Sequence, residues 1–131
     1  MKILNLDHIG TRIEDVDRTI SFYEMLGFKV KRKDFNEQVF VVKHSSGVEL
    51  NFLNNVTEDI SKDNVLMDIP TKHTGYTHIA IAIDSASDAI EFLNQHGISI
   101  TEGPVTFGDG KTSVFVRDPD RNVIEFTELP K

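Results

Sequence analysis

Apolar positions along the chain keep two periods, and the change from one to the other comes at matching places in each half. In HTGYTHIAIAID, residues 73–84, Ile79, Ile81 and Ile83 alternate with His78, Ala80 and Ala82, the period of a strand with one apolar face. The next residues switch to helical spacing. Ala86, Ala89, Ile90 and Leu93 share a stripe, Ser85 or Ser87 can cap it, and Gly97 is placed to end it. The first half does the same from His8: after a strand holding Ile9 and Ile13, a helix carries Val16, Ile20, Tyr23 and Leu26, with Asp15 as cap and Gly27 as stop. A shift of 70 residues lays HIGTRIEDVDRTISFYEMLGFKV over HIAIAIDSASDAIEFLNQHGISI, pairing His8 with His78, Ile13 with Ile83, Ile20 with Ile90, Phe22 with Phe92 and Gly27 with Gly97.

After each glycine come strand-like runs: 28–35, 38–44 and 48–53 in the first half, then 98–101, 113–118 and 123–129 in the second. The pattern predicts an α+β chain forming one domain, built as two βαβββ modules over 1–53 and 76–131. The interval 54–75 has no clear period beyond the short apolar piece Val65 to Ile69, and reads as a connecting loop that links, covers or wraps. GPVTFGDGK, 103–111, is expected to be a flexible hairpin connection, and DPDRN, 118–122, a turn.

Composition narrows the function classes. With 131 residues the chain can bury an adequate core, and with no cysteine it has neither disulfides nor thiolate metal sites. The opening MKILNLDHIG lacks the apolar run of a secretory signal and no window is apolar enough to span a bilayer, so the expectation is a soluble, cytoplasmic protein. Fourteen basic against 21 acidic residues give a net charge of -7, which argues against nucleic-acid and membrane partners. The basic cluster Lys29, Lys31, Arg32 and Lys33 reads as the solvated face of a strand.

The chemistry lies in single polar residues set into apolar strands. Glu49 sits between Val48 and Leu50, and Glu125 between Ile124 and Phe126. Strand alternation assigns the isoleucines, Val48, Leu50, Phe52 and Phe126 to the helix-covered face, and His8, Glu49, His78 and Glu125 to the other. Around those four stand small or polar neighbours, Gly10, Arg12, Asn51, Ala80, Ala82 and Thr127. Two imidazoles and two carboxylates suit one divalent first-row ion with waters completing its shell; zinc, nickel, cobalt, manganese and iron(II) all remain open. His44, His73 and His96 read as turn, loop and helix-end residues, and Phe92, Phe107 and Phe115 as core or lining.

The paired halves, the openings LDHIG and YTHIA, the helix end FYEMLGF, the GP after the second helix, FVRDPD and the closing VIEF together resemble the vicinal oxygen chelate superfamily of glyoxalases, bleomycin resistance proteins and extradiol dioxygenases. Within it they are most similar to glyoxalase I, the lactoylglutathione lyases. The resemblance implies curved mixed sheets around a metal cleft, with His8, Glu49, His78 and Glu125 as ligands to zinc or nickel. It implies isomerisation of a 2-oxoaldehyde–thiol hemithioacetal to a 2-hydroxythioester through a chelated enediolate, as in methylglyoxal detoxification. Glu125 would be the base, Glu49 its symmetric partner, Arg12 the anchor for an anionic end of the substrate, and glutathione or another small thiol the co-substrate. A homodimer is implied as well. Two positions depart from the pattern: Leu53 stands where an asparagine is usual, and Arg121 where a glycine follows DPD. The same superfamily also holds acyl-CoA epimerases, extradiol dioxygenases, thiol transferases and non-catalytic drug-binding proteins, which are the alternatives.

Overall fold

The computed structural model describes residues 1–57 and 62–130; residues 58–61 of the predicted connecting loop lie outside the described part. The chain divides into two compact units, Met1–Ile60 and Ser61–Lys131. The first contains β1 (Ile9–Arg12), α1 (Val16–Met25), β2 (Lys29–Asp34), β3 (Val39–Lys43) and β4 (Glu49–Leu53). The second contains β5 (Ile79–Ile83), α2 (Ala86–Gln95), β6 (Ile100–Thr106), β7 (Thr112–Arg117) and β8 (Val123–Glu128). Each is the predicted βαβββ module, folded as a four-stranded mixed sheet. The order is β1-β4-β3-β2 in one and β5-β8-β7-β6 in the other, with only the β1–β4 and β5–β8 pairs parallel.

Both helices start at the residues whose side chains can satisfy a bare backbone N–H. Asp15 accepts from the Arg18 N–H at 2.9 Å, and Ser85 from that of Asp88 at 3.2 Å. Glu128 at the end of β8 adds a second acceptor for α2, taking the Ala86 N–H at 2.8 Å. In α1 the buried stripe is Thr19, Ile20, Phe22 and Tyr23, and Tyr23 packs against Phe22, Phe28 and Phe52 with centroids 5.0–5.6 Å apart. With Phe40, Val42 and Leu50 these form the first core; Leu93, Ile98, Val114, Val116, Ile124 and Phe126 form the second.

One expectation is corrected. The glycine- and proline-rich stretch 103–111 is not all connection, because β6 continues through Gly103 and Pro104 to Thr106 and leaves only 107–111 between the strands. Gly103 has φ 90°, and a Cβ there would stand 2.5 Å from the Ser113 carbonyl oxygen, so β6 approaches β7 more closely than any side chain would permit. Register shifts on either side of Glu102 absorb the irregularity.

The apolar piece Val65 to Ile69 belongs to a single helical turn of the second unit, where Asn64 Oδ1 caps the N–H groups of Leu66 and Met67. That turn is held to the sheet by Arg117, a buried guanidinium on β7. Its Nε and Nη2 donate to Asp68 at 3.1 and 2.7 Å, Nη2 and Nη1 to Glu102 at 2.8 and 3.0 Å, and Nη1 to Thr101 Oγ1 at 2.7 Å. Two forked carboxylates and a hydroxyl satisfy the fork. The Arg117 hydrogen bonds hold the carboxyls of Asp68 and Glu102 below the usual range.

Arg117→Met is expected to cost roughly 2–4 kcal/mol, toward the low side for a broken buried pair because Glu102 keeps half its side chain in water. Urea unfolding measures it. Since both carboxyls bind protons less readily folded than unfolded, their contribution is complete above the ordinary carboxylate range and drains as pH falls through the depressed values. Arg117→Met should therefore flatten the acid limb of a stability–pH curve.

Candidate metal centre

The second module brings two of the predicted residues into contact. His78 immediately precedes β5, and Glu125 lies on the parallel neighbour β8. His78 Nε2 stands 3.0 Å from Glu125 Oε2. The other ring nitrogen, Nδ1, is 2.8 Å from Thr77 Oγ1, and the ring meets Phe115 edge-on at 5.9 Å. Phe115 faces Glu125 directly across the β7–β8 pair.

The far oxygen of Glu125 is held from its own sheet. Ser113 Oγ and Thr127 Oγ1 each donate to Oε1 at 2.6 Å, and the two hydroxyls are themselves 2.6 Å apart. Two hydroxyl protons serve three contacts, so no more than two of them are hydrogen bonds at once. All three side chains belong to buried residues. Burial pushes the Glu125 carboxyl up, but the Ser113 and Thr127 hydroxyls and the nearby His78 outweigh it and leave the group below the ordinary range. The residue is therefore an oriented carboxylate with Oε2 facing the imidazole.

The first module distributes its predicted residues differently. His8 precedes β1, and its Nδ1 donates to Asp7 Oδ2 at 2.7 Å, since a carboxylate can only accept. That bond is the main reason the Asp7 carboxyl lies low. Glu49 opens β4, where its Oε2 accepts from Lys31 Nζ at 3.0 Å and lies 3.6 Å from Lys43 Nζ. The Lys31 hydrogen bond is the largest cause lowering its carboxyl. His8 and Glu49 are thus engaged with other partners rather than with each other. Arg12, exposed on β1, donates from Nε to Asn55 Oδ1 at 2.9 Å. Asn51, two residues beyond Glu49 on β4, buries its Oδ1 without a partner.

Among the described residues no three His, Asp or Glu side chains converge. The donor chemistry of each half still suits a divalent ion. Both histidines engage Nδ1 with the residue just before them, Asp7 or Thr77, the outer contact that orients a metal-binding imidazole and leaves Nε2 for the ion. The 3.0 Å between His78 Nε2 and Glu125 Oε2 is also the span of two ligands at about 2.1 Å subtending roughly a right angle. At Glu49 two ammonium groups, Lys31 Nζ and Lys43 Nζ, stand 3.0 and 3.6 Å from Oε2. The carboxylate attracts positive charge, and lysine supplies it.

Several of these partners escaped the sequence. Asp7 and Thr77 carry the one available signal, since the repeat places them at the same step before each histidine. Ser113 is two residues before Phe115 in an apolar run, and only the β7–β8 register, which pairs it with Thr127, brings it to Glu125. The cluster Lys29, Lys31, Arg32 and Lys33 is exposed as expected, but β2 carries a bulge between Val30 and Arg32, and the Lys31 inside it turns toward Glu49.

The fold is that of a known class of protein. The chain belongs to the Glyoxalase/Bleomycin resistance protein/Dioxygenase superfamily, whose model matches residues 5–126. Among its relatives, the lactoylglutathione lyase of Escherichia coli O157:H7 is 33% identical, covering 95% of this chain and 93% of that protein. A glyoxalase domain-containing protein of Mycosarcoma maydis is 32% identical over 97% of this chain and 69% of its own. A glyoxalase family protein of solved structure from Enterococcus faecalis shares the fold with a TM-score of 0.76 at 24% identity, covering 95% and 97% of the two chains.

Ser113→Ala removes one of the two hydroxyls on Glu125 and is expected to cost about 1–2 kcal/mol. It should also raise the Glu125 carboxyl toward the usual range, which a carboxyl NMR titration reads. Because that carboxyl is depressed in the folded state, its contribution to stability is present at neutral pH and lost on acidification. The variant should lose less on acidification than the parent.

Proposed function

We propose that this chain is a metal-dependent lyase of the glyoxalase I type, isomerising the hemithioacetal of a 2-oxoaldehyde and a small thiol to a 2-hydroxythioester. The observation that carries the reading is Glu125, a carboxylate whose Oε1 is fixed by two hydroxyls while Oε2 faces an imidazole at 3.0 Å. The likeness to lactoylglutathione lyases supports it.

His78 and Glu125 would hold the ion from the second module, and His8 with an oxygen donor of β4, Glu49 in the family pattern, from the first. Zinc or nickel fits a set led by imidazoles. When bound, such an ion supplies Lewis-acid stabilisation of negative charge on two adjacent oxygens, worth several kcal/mol. Glu125 does the proton work. It takes the proton from the carbon bearing sulfur, the electron pair forms the carbon–carbon double bond of an enediolate, and the proton returns to the neighbouring carbon while the hydroxyl proton passes from the oxygen on the sulfur-bearing carbon to the other oxygen. Every atom is retained and no oxidant or reductant is consumed. Ser113 and Thr127 keep the carboxylate aimed through both transfers, and its lowered pKa keeps it ionised at neutral pH. Ala80 and Ala82, exposed on β5, leave room beside His78 for a small substrate. Arg12 offers a cation to an anionic end of the thiol, glutathione or another.

An assay with methylglyoxal and a panel of low-molecular-weight thiols, with and without divalent metal, tests this. Activity should require the metal, and Glu125→Gln should lower kcat by about 10²–10⁴-fold. Full activity in that variant would remove Glu125 as the base. Since one module offers fewer ligands than the three or more of a catalytic ion, the reading calls on two modules, and a homodimer is the assembly we propose. Light scattering should then return about twice 14.8 kDa.

A further inference from the structure

The two hairpins that carry the candidate carboxylates correspond residue for residue, and the correspondence does not pair Glu49 with Glu125. Each turn spans five residues closed by equivalent backbone bonds: the His44 N–H to the Val48 carbonyl and the Gly47 N–H to the His44 carbonyl in one, Asp118 to Asn122 and Arg121 to Asp118 in the other. Gly47 and Arg121 both take a left-handed conformation, at φ 100° and 67°. Counting from the turns, Glu49 falls at the place of Val123, and Asn51 at the place of Glu125. Sheet register agrees on both sides. Asn51 pairs with Val41 and Gly10, as Glu125 pairs with Phe115 and Ala80. Gly10 and Ala80 each lie two residues after a histidine, so His8 stands to Asn51 as His78 stands to Glu125.

Glu49 lies on the same face as Asn51 but two residues nearer the turn, about 6.7 Å along the strand. Its charge is already answered by Lys31 and Lys43. Asn51, by contrast, carries a buried amide oxygen with no hydrogen-bond partner, an arrangement that costs stability unless a water or an ion satisfies it. An amide oxygen is a competent donor to a hard or borderline divalent ion.

We propose that Asn51, not Glu49, is the oxygen donor that the first module contributes beside His8, with Glu49 retained by its lysines. The inference rests on the metal-dependent reading above.

The test is a titration of chelator-stripped protein with cobalt(II), followed by calorimetry and visible absorption, on the parent and on Asn51→Val, Asn51→Asp, Glu49→Gln and His78→Ala. Asn51→Val should weaken binding at least as much as the roughly tenfold that loss of an outer-shell contact costs. Asn51→Asp should keep or tighten binding, and Glu49→Gln should stay close to the parent. The urea midpoint of metal-free Asn51→Val should equal or exceed the parent's, because the variant deletes an unsatisfied buried group, and that result separates a lost donor from a lost fold. Glu49→Gln weakening binding while Asn51→Val leaves it unchanged overturns the assignment and leaves the lyase reading standing. A parent that takes up no cobalt, or a His78→Ala variant that binds as the parent does, overturns both.

Discussion

A carboxylate buried in a sheet needs every one of its oxygens accounted for, and Glu125 is the point at which the second module meets that demand. Two hydroxyls from its own sheet take one oxygen and an imidazole from the head of the neighbouring parallel strand takes the side of the other. Strip those contacts away and burial alone would favour the neutral acid. The strand order β5-β8-β7 is what makes the contacts possible, since it sets the His78 strand on one side of Glu125 and Ser113 on the other. Fold and chemistry are therefore joined at one side chain.

Much of this is legible in the sequence. The seventy-residue repeat, the switch from strand to helix period, and the caps at Asp15 and Ser85 follow from residue types whose backbone preferences are strong and local. The open face was legible too, because alternation is rigid: His78, Ala80 and Ala82 share a side however the strand is packed. What could not be read was lateral position. Register depends on turn geometry and on bulges, and a one-residue bulge in β2 is enough to move Lys31 from the anonymous solvated row to the carboxylate of Glu49. The stretch at 103–111 misled for a related reason, since glycine marks both loops and strands that run unusually close together.

The same limit explains the apparent equivalence of the two glutamates. Each lies in a final strand between apolar residues, so a sequence comparison matches them by type. Hydrogen bonds match them by place, and place differs by two residues while keeping the face. A shift of two preserves alternation, so the binary pattern is blind to it. The modules have thus kept one frame while exchanging what stands in it: an ion-paired glutamate and an amide in the first, an apolar residue and an oriented carboxylate in the second.

Gly103 gives the support of Glu125 an unexpected dependence. The backbone of β6 runs so near the Ser113 carbonyl that the strand beside the carboxylate is located by an atom that is missing rather than by one that is present. Any methyl at that point would lever β7 outward at the very residue whose hydroxyl steers the acid. The aim of the carboxylate is therefore set in part from an outer strand, and drift in that strand would turn it without touching it.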